Sequence, residues 1–201
     1  MPTSDESFGV ALCAVTMALV CWGGEISGRR MAWAHYVPWY KPENASLAIG
    51  DFYNFPWPDM DGSESRLEST RREIADSRTS GVNGWFVDLG ANPPKGPLNS
   101  AGDMMGYLDA AKGSDFLVAI CLDGQSDPAY LAHATLDLLK QIGDHPNYPK
   151  MNGRPVVATY AFQNRPRTDW NDFRRLCSEG GRNVYLIANM SAMPHAKTDF
   201  A

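Results

Sequence analysis

The sequence has no basic excess: 18 Lys and Arg stand against 23 Asp and Glu, a formal charge of −5. Nucleic-acid binding without sequence preference needs a basic face to neutralise phosphate, and this balance does not offer one. Cysteine is scarce, with 4 in 201 residues, and none stands in a C-x-x-C or Cys/His spacing that would mark zinc. No G-x-G-x-x-G or Walker loop follows an apolar run, which weakens any nucleotide-binding reading. No G-x-S-x-G elbow is present, which argues against a serine hydrolase. The uncharged run Phe8–Trp22 is shorter than the roughly 20 apolar residues a spanning helix needs, so no stable membrane span is expected. Nothing in the sequence calls for a metal or an organic cofactor.

What is present begins with that same run. Its length suits the apolar core of an export signal, although the preceding MPTSDES carries Asp5 and Glu6 and no basic residue. Residues 1–28 therefore read as a signal peptide or a non-native leader, with Met31 as the alternative beginning of the folded part. A cleaved signal implies a secreted or periplasmic protein; without one the location is cytoplasmic. Cys13 and Cys21 fall in this leader, while Cys121 lies within an apolar run and reads as a packed core thiol.

Past the leader the pattern is regular. MAWAHY (Met31 to Tyr36) reads as a strand, followed by a long loop rich in proline and aromatics to about Gly62. A helix is expected from Ser65 to Ser80, then the strand VNGWFVDLG, then a helix from about Asp103 to Lys112. FLVAICLDG is a third strand, and Asp127 caps a helix that starts with Pro128 and runs to about Ile142. The turn region HPNYPKMNG leads to the strand PVVATYAF, a helix near Asp169 to Ser178 and a last strand, NVYLIANM. These strands are apolar on both faces, as parallel strands covered on both sides must be. The expected fold class is α/β, of the (β/α)8 TIM-barrel type. A whole barrel typically takes ~250 residues, so residues 31–201 are expected to form a partial barrel, truncated after about five strands. Such an open part-barrel would leave apolar edges and dissolve poorly.

Polar and aromatic residues collect where the strands end. His35, Tyr36, Trp39 and Tyr40 follow the first strand, Asp88 ends the second and Asp123 the third. Tyr160 and Gln163 follow the fourth, and Asn189 the fifth. In a parallel barrel these ends share one rim, where chemistry is built. Rings beside carboxylates and amides suit a sugar, which stacks its face on an aromatic ring and takes directed hydrogen bonds at its hydroxyls. The plain alternative for any one Asp is a helix cap or an Asx-turn.

AHYVPWY, GVNGWFVDLG, FLVAICLDG and HPNYPKMNGRPVVATYAF, in this order and spacing, resemble the amino-terminal half of glycoside hydrolase families 71 and 99. These families hold the α-1,3-glucanases and the endo-α-mannosidases and mannanases. The HYxPWY opening resembles family 99 more closely, and the similarity covers roughly Ala32 to Asn189. The resemblance implies a (β/α)8 barrel acting on an α-glucan, an α-mannan or a glycan. It also implies that His35, Tyr36, Trp39, Tyr40, Asp88, Asp123, Tyr160 and Asn189 contribute to substrate binding.

In both families the decisive acidic pair, two carboxylates three residues apart, belongs to a later strand. Nothing here matches that pair; the only tempting spacing is Asp169 and Asp172 in TDWNDF, and they open a helix, where Asp caps and offsets the dipole. Catalytic residues thus stay unassigned, with Asp88 and Asp123 as weak candidates, because hydrolysis usually needs two placed carboxyl groups. The expected function is that of an endo-acting glycoside hydrolase whose present chain is inactive alone. The alternative is a non-catalytic carbohydrate-binding remnant of such a barrel. An unrelated α/β hydrolase or transferase is a third reading. Asn44 and Asn189 open glycosylation triplets that matter only on a eukaryotic secretory route.

Overall fold

The computed structural model describes residues 31–38, 65–90, 98, 101–123, 127–160 and 166–188. The leader expected over residues 1–28 and most of the loop after the first strand lie outside the described residues. In chain order the elements are β1 (Trp33–Tyr36), α1 (Arg66–Thr79), β2 (Gly84–Gly90), α2 (Met104–Ala111, entered by a short 3-10 turn), β3 (Leu117–Asp123) and α3 (Pro128–Ile142). They continue with β4 (Lys150–Met151), β5 (Arg154–Thr159), α4 (Arg167–Glu179) and β6 (Tyr185–Ala188). Each helix and long strand expected from the pattern is found, with ends shifted by a few residues.

Local chemistry explains the boundaries. Ser65 and Glu68 form a reciprocal capping box at the start of α1. At α3 the Asp127 carboxylate accepts from the amides of Ala129 and Tyr130 at 2.8 and 3.2 Å, and Pro128 occupies the first turn. The short β4 is a departure from the expected plain turn. Asn152 and Gly153 both take left-handed backbone conformations (φ 52° and 73°), the pattern of a two-residue hairpin turn, and this folds β4 antiparallel onto β5.

The fold is α/β with a parallel sheet. β1, β2, β3, β5 and β6 pair side by side, all parallel, so the order across the sheet follows the order along the chain. The strands ending near Asp88, Asp123 and Tyr160 are thus parallel neighbours, as expected.

Strand alternation sorts the sheet's side chains into two unlike sets. Ala34, Trp85, Val87, Leu89, Val118, Ile120, Leu122 and Val157 pack with residues of all four helices in the larger core. Among the described residues, Trp33, Phe86, Ala119, Cys121, Val156, Ala158 and Ile187 form a second core built of strand residues alone. Trp33 and Phe86 stack within it, with ring centres 4.5 Å apart.

The GVNGW segment sets the start of β2 against both neighbours. Gly81 takes φ 80°, a left-handed conformation that ends α1, and the Asn83 side chain accepts from the Ala32 amide at 2.9 Å. At Gly84 a β-carbon would stand 2.6 Å from both the Leu117 carbonyl oxygen and the Trp33 ring. Trp85 then reaches the helix side, where its indole N–H donates to Ser77 Oγ at 3.1 Å.

The HPNYP segment ties the next layer. The Asn147 side-chain amide donates to the carbonyls of Ala111, Ser114 and Phe116 at 3.1, 3.1 and 2.8 Å, closing the turn between α2 and β3. The buried Tyr148 hydroxyl donates to the Val156 carbonyl at 2.7 Å, and burial pushes this phenol's pKa up.

Candidate functional site

The site lies at the carboxyl end of the strand-only face. The register places His35 beside Phe86, and Asp88 beside Cys121 and, one strand further, Ala158. His35 and Asp88 are therefore diagonal neighbours on one face of adjacent strands. His35 Nε2 lies 3.0 Å from Asp88 Oδ2, and the Asp88 side chain is only 3% exposed. The approach falls outside hydrogen-bond geometry, and both His35 Nε2 and Asp88 Oδ1 are buried without a hydrogen-bond partner among the described residues. Two lone pairs at this distance repel, so the contact is attractive only with a proton on Nε2. That leaves Asp88 Oδ1 as a desolvated acceptor with no donor, which is unfavourable for a buried polar atom.

Tyr160 completes the cluster from β5. Its ring stacks on the His35 imidazole with centres 5.1 Å apart and planes 19° from parallel. β1 and β5 are three strand spacings apart in the sheet, roughly 14 Å at about 4.8 Å each. Rings anchored that far apart touch only because the sheet curls around this face. Tyr160 keeps 39% of its surface exposed and so marks the mouth of the cluster.

Beneath the pair lies Cys121, 1% exposed. Burial pushes its thiol pKa well up, and the charges of Asp88 and Asp123 push the same way. It is a packed core thiol, as its place in an apolar run suggested. Asp123 is half-buried at the end of β3 and in register with Gly90. By alternation it shares the face of Asp88.

Tyr36 is a correction to the expected rim. It adjoins His35 in an extended strand, so its side chain leaves by the opposite face. There it stacks on Trp85 with ring centres 4.3 Å apart, meets the edge of Tyr107 and donates its hydroxyl to Glu73 Oε2 at 2.9 Å. Burial, then the Glu73 charge, pushes the Tyr36 phenol's pKa up, and burial likewise pushes the Glu73 carboxyl up. Trp39, Tyr40, Gln163 and Asn189 lie outside the described residues. Asp169 and Asp172 sit in the first turns of α4, where Arg175 pairs with Asp172 at 3.2 Å.

Among the described residues no cluster of three or more His, Cys, Asp or Glu is arranged to hold a metal ion. None of their helices is long and apolar enough to cross a membrane. What the cluster offers is an acceptor, a ring and an imidazole in one place. Sequence reading found His35, Asp88 and Tyr160 because each ends an apolar run, but it missed Glu73, which α1 shows only as one charge among Arg71, Arg72 and Asp76. Comparison with protein-family models finds no match for this chain, and comparison with curated proteins finds none.

Proposed function

We propose that the chain is the sugar-binding part of a (β/α)8-type barrel related in design to the glycoside hydrolases, with the strand-end cluster holding an α-linked sugar. The observation that carries this reading is Asp88: a buried carboxylate oxygen without a donor among the described residues, set near His35 and Tyr160 at the strand ends. A sugar hydroxyl supplies the missing donor, and the exposed part of the Tyr160 ring supports an apolar sugar face. The strand order and the core on the curled face, free of helix residues among the described residues, support the barrel part of the proposal, since a doubly wound sheet covers both faces with helices and reverses its strand order. Open α/β sheets also bind ligands at strand ends, so the sugar reading does not depend on barrel closure.

The chemistry proposed for this chain is binding. Asp88 lies against His35 and Asp123 stands on the next strand, and the acidic pair that the resemblance expects belongs to a later strand. Electrophoresis of the purified chain through gels containing α-mannan or α-1,3-glucan tests the reading. Retardation by one of the polysaccharides, lost in Asp88→Ala with the fold retained, is the expected result. Equal mobility in both gels and in a polysaccharide-free gel would sink it. Release of reducing sugar by the chain would instead move Asp88 and Asp123 into catalytic roles.

A further inference from the structure

From the clamp behind β1 we infer that Glu73, acting through Tyr36, is a positioning residue that holds the His35 imidazole over Asp88. The inference deepens the site reading above but rests on it only in taking the His35–Asp88 pair as the centre of the site.

β1 spans Trp33–Tyr36 and pairs among the described strands with β2 alone, through the four couples from Trp33–Gly84 to Tyr36–Val87. A short edge strand has little of its own to fix its register. A slip of one residue would exchange the faces of His35 and Tyr36. Glycine at position 84 makes room for Trp33 at one end of the strand. At the other end the lock is Tyr36, whose ring stacks on Trp85 while its hydroxyl donates to Glu73. Ser69 Oγ lies 3.5 Å from Glu73 Oε1 and steadies the second oxygen from one turn earlier in α1. The two faces are coupled by the backbone itself: holding Tyr36 on the helix side holds its neighbour His35 on the curled side. On that side, among the described residues, Nε2 has no hydrogen-bond partner, and the ring meets Asp88 at 3.0 Å and stacks on Tyr160. The orientation is therefore set from behind.

The imidazole reports its own position. In the 15N-labelled full chain, the His35 ring protons, assigned with a His35→Gln variant, carry an upfield shift from the stacked Tyr160 ring. Tyr36→Phe deletes only the hydroxyl, and Glu73→Leu removes the acceptor. Both are expected to lose most of that upfield displacement in the folded state. Glu73→Gln keeps an acceptor oxygen and is expected to keep the wild-type shift. Unchanged His35 signals in folded Tyr36→Phe would overturn the inference even if its melting temperature falls, because a merely structural role lowers stability without moving the ring. A Glu73→Gln variant as displaced as Glu73→Leu would also overturn it. If Glu73→Leu fails to fold, Tyr36→Phe decides alone. No sugar enters the measurement, so its outcome is separate from that of the gel experiment.

Discussion

At position 84 a single hydrogen in place of a methyl group decides whether β2 can meet both its neighbours, β1 and β3. The β-carbon of an alanine would stand 2.6 Å from the Leu117 carbonyl and from the Trp33 ring, and a carbonyl in a parallel ladder cannot retreat. Gly84→Ala is therefore expected to destabilise the protein by about 1–3 kcal/mol, the range for overpacking a tight interior. A urea midpoint compared with wild type measures it; an unchanged midpoint would mean that β1 and β3 do not sit against β2 as described. Glu73 makes the second residue-scale prediction. Burial raises its carboxyl pKa in the folded protein, so the folded state holds a proton that the unfolded chain releases. The stability tied to that proton is present at acid pH and is lost as pH rises from the ordinary carboxylate range through the raised value. Relative to Glu73→Gln, wild type should lose stability across that window. Tyr36, Ser69, Arg72 and Asp76 modulate the same group. A constant difference between the two proteins across the window would contradict the assignment.

At the scale of elements, the segments that carry the family resemblance turn out to do structural work. GVNGW ends α1, ties Asn83 to Ala32 and admits Trp33 over Gly84; HPNYP holds the α2–β3 turn through Asn147 and β5 through Tyr148. These two segments speak for a fold, while His35, Asp88 and Tyr160 speak for a site. Asn147→Ala would take the side-chain donor from the carbonyls of Ser114 and Phe116, while the Ala111 carbonyl keeps Ser114 Oγ. An unsatisfied buried group costs about 1–3 kcal/mol, so a loss of about 3 kcal/mol is expected from denaturant unfolding. A loss below ~0.5 kcal/mol would show that water replaces the amide easily. The element pattern was legible in the sequence because β2, β3 and β5 are apolar at nearly every position and punctuated by caps and glycines. The two-residue β4 was not, since Lys150 and Met151 are too few to show a period.

For the molecule as a whole, parallel pairing and helix–strand alternation could be read from the chain, whereas the side on which each rim residue falls could not. His35 and Tyr36 are adjacent and equally suited to a sugar by residue type, yet the pleat sends one to the curled face and the other to Glu73. One misplaced residue in a strand register reverses such an assignment, and composition gives no help in choosing. The structure settles it by geometry, and it brings together three groups from β1, β2 and the end of β5 that stand far apart in sequence. The claim that joins these scales is that Asp88 Oδ1 lacks a donor because a ligand hydroxyl supplies one. Isothermal titration of α-linked manno- and gluco-oligosaccharides into the full chain, wild type against Asp88→Asn, tests it most directly. The account predicts saturable binding of one series by wild type and at least a tenfold weaker affinity, about 1.4 kcal/mol, in a variant of equal stability. Binding of equal strength by both proteins, or none by wild type at millimolar sugar, would contradict it.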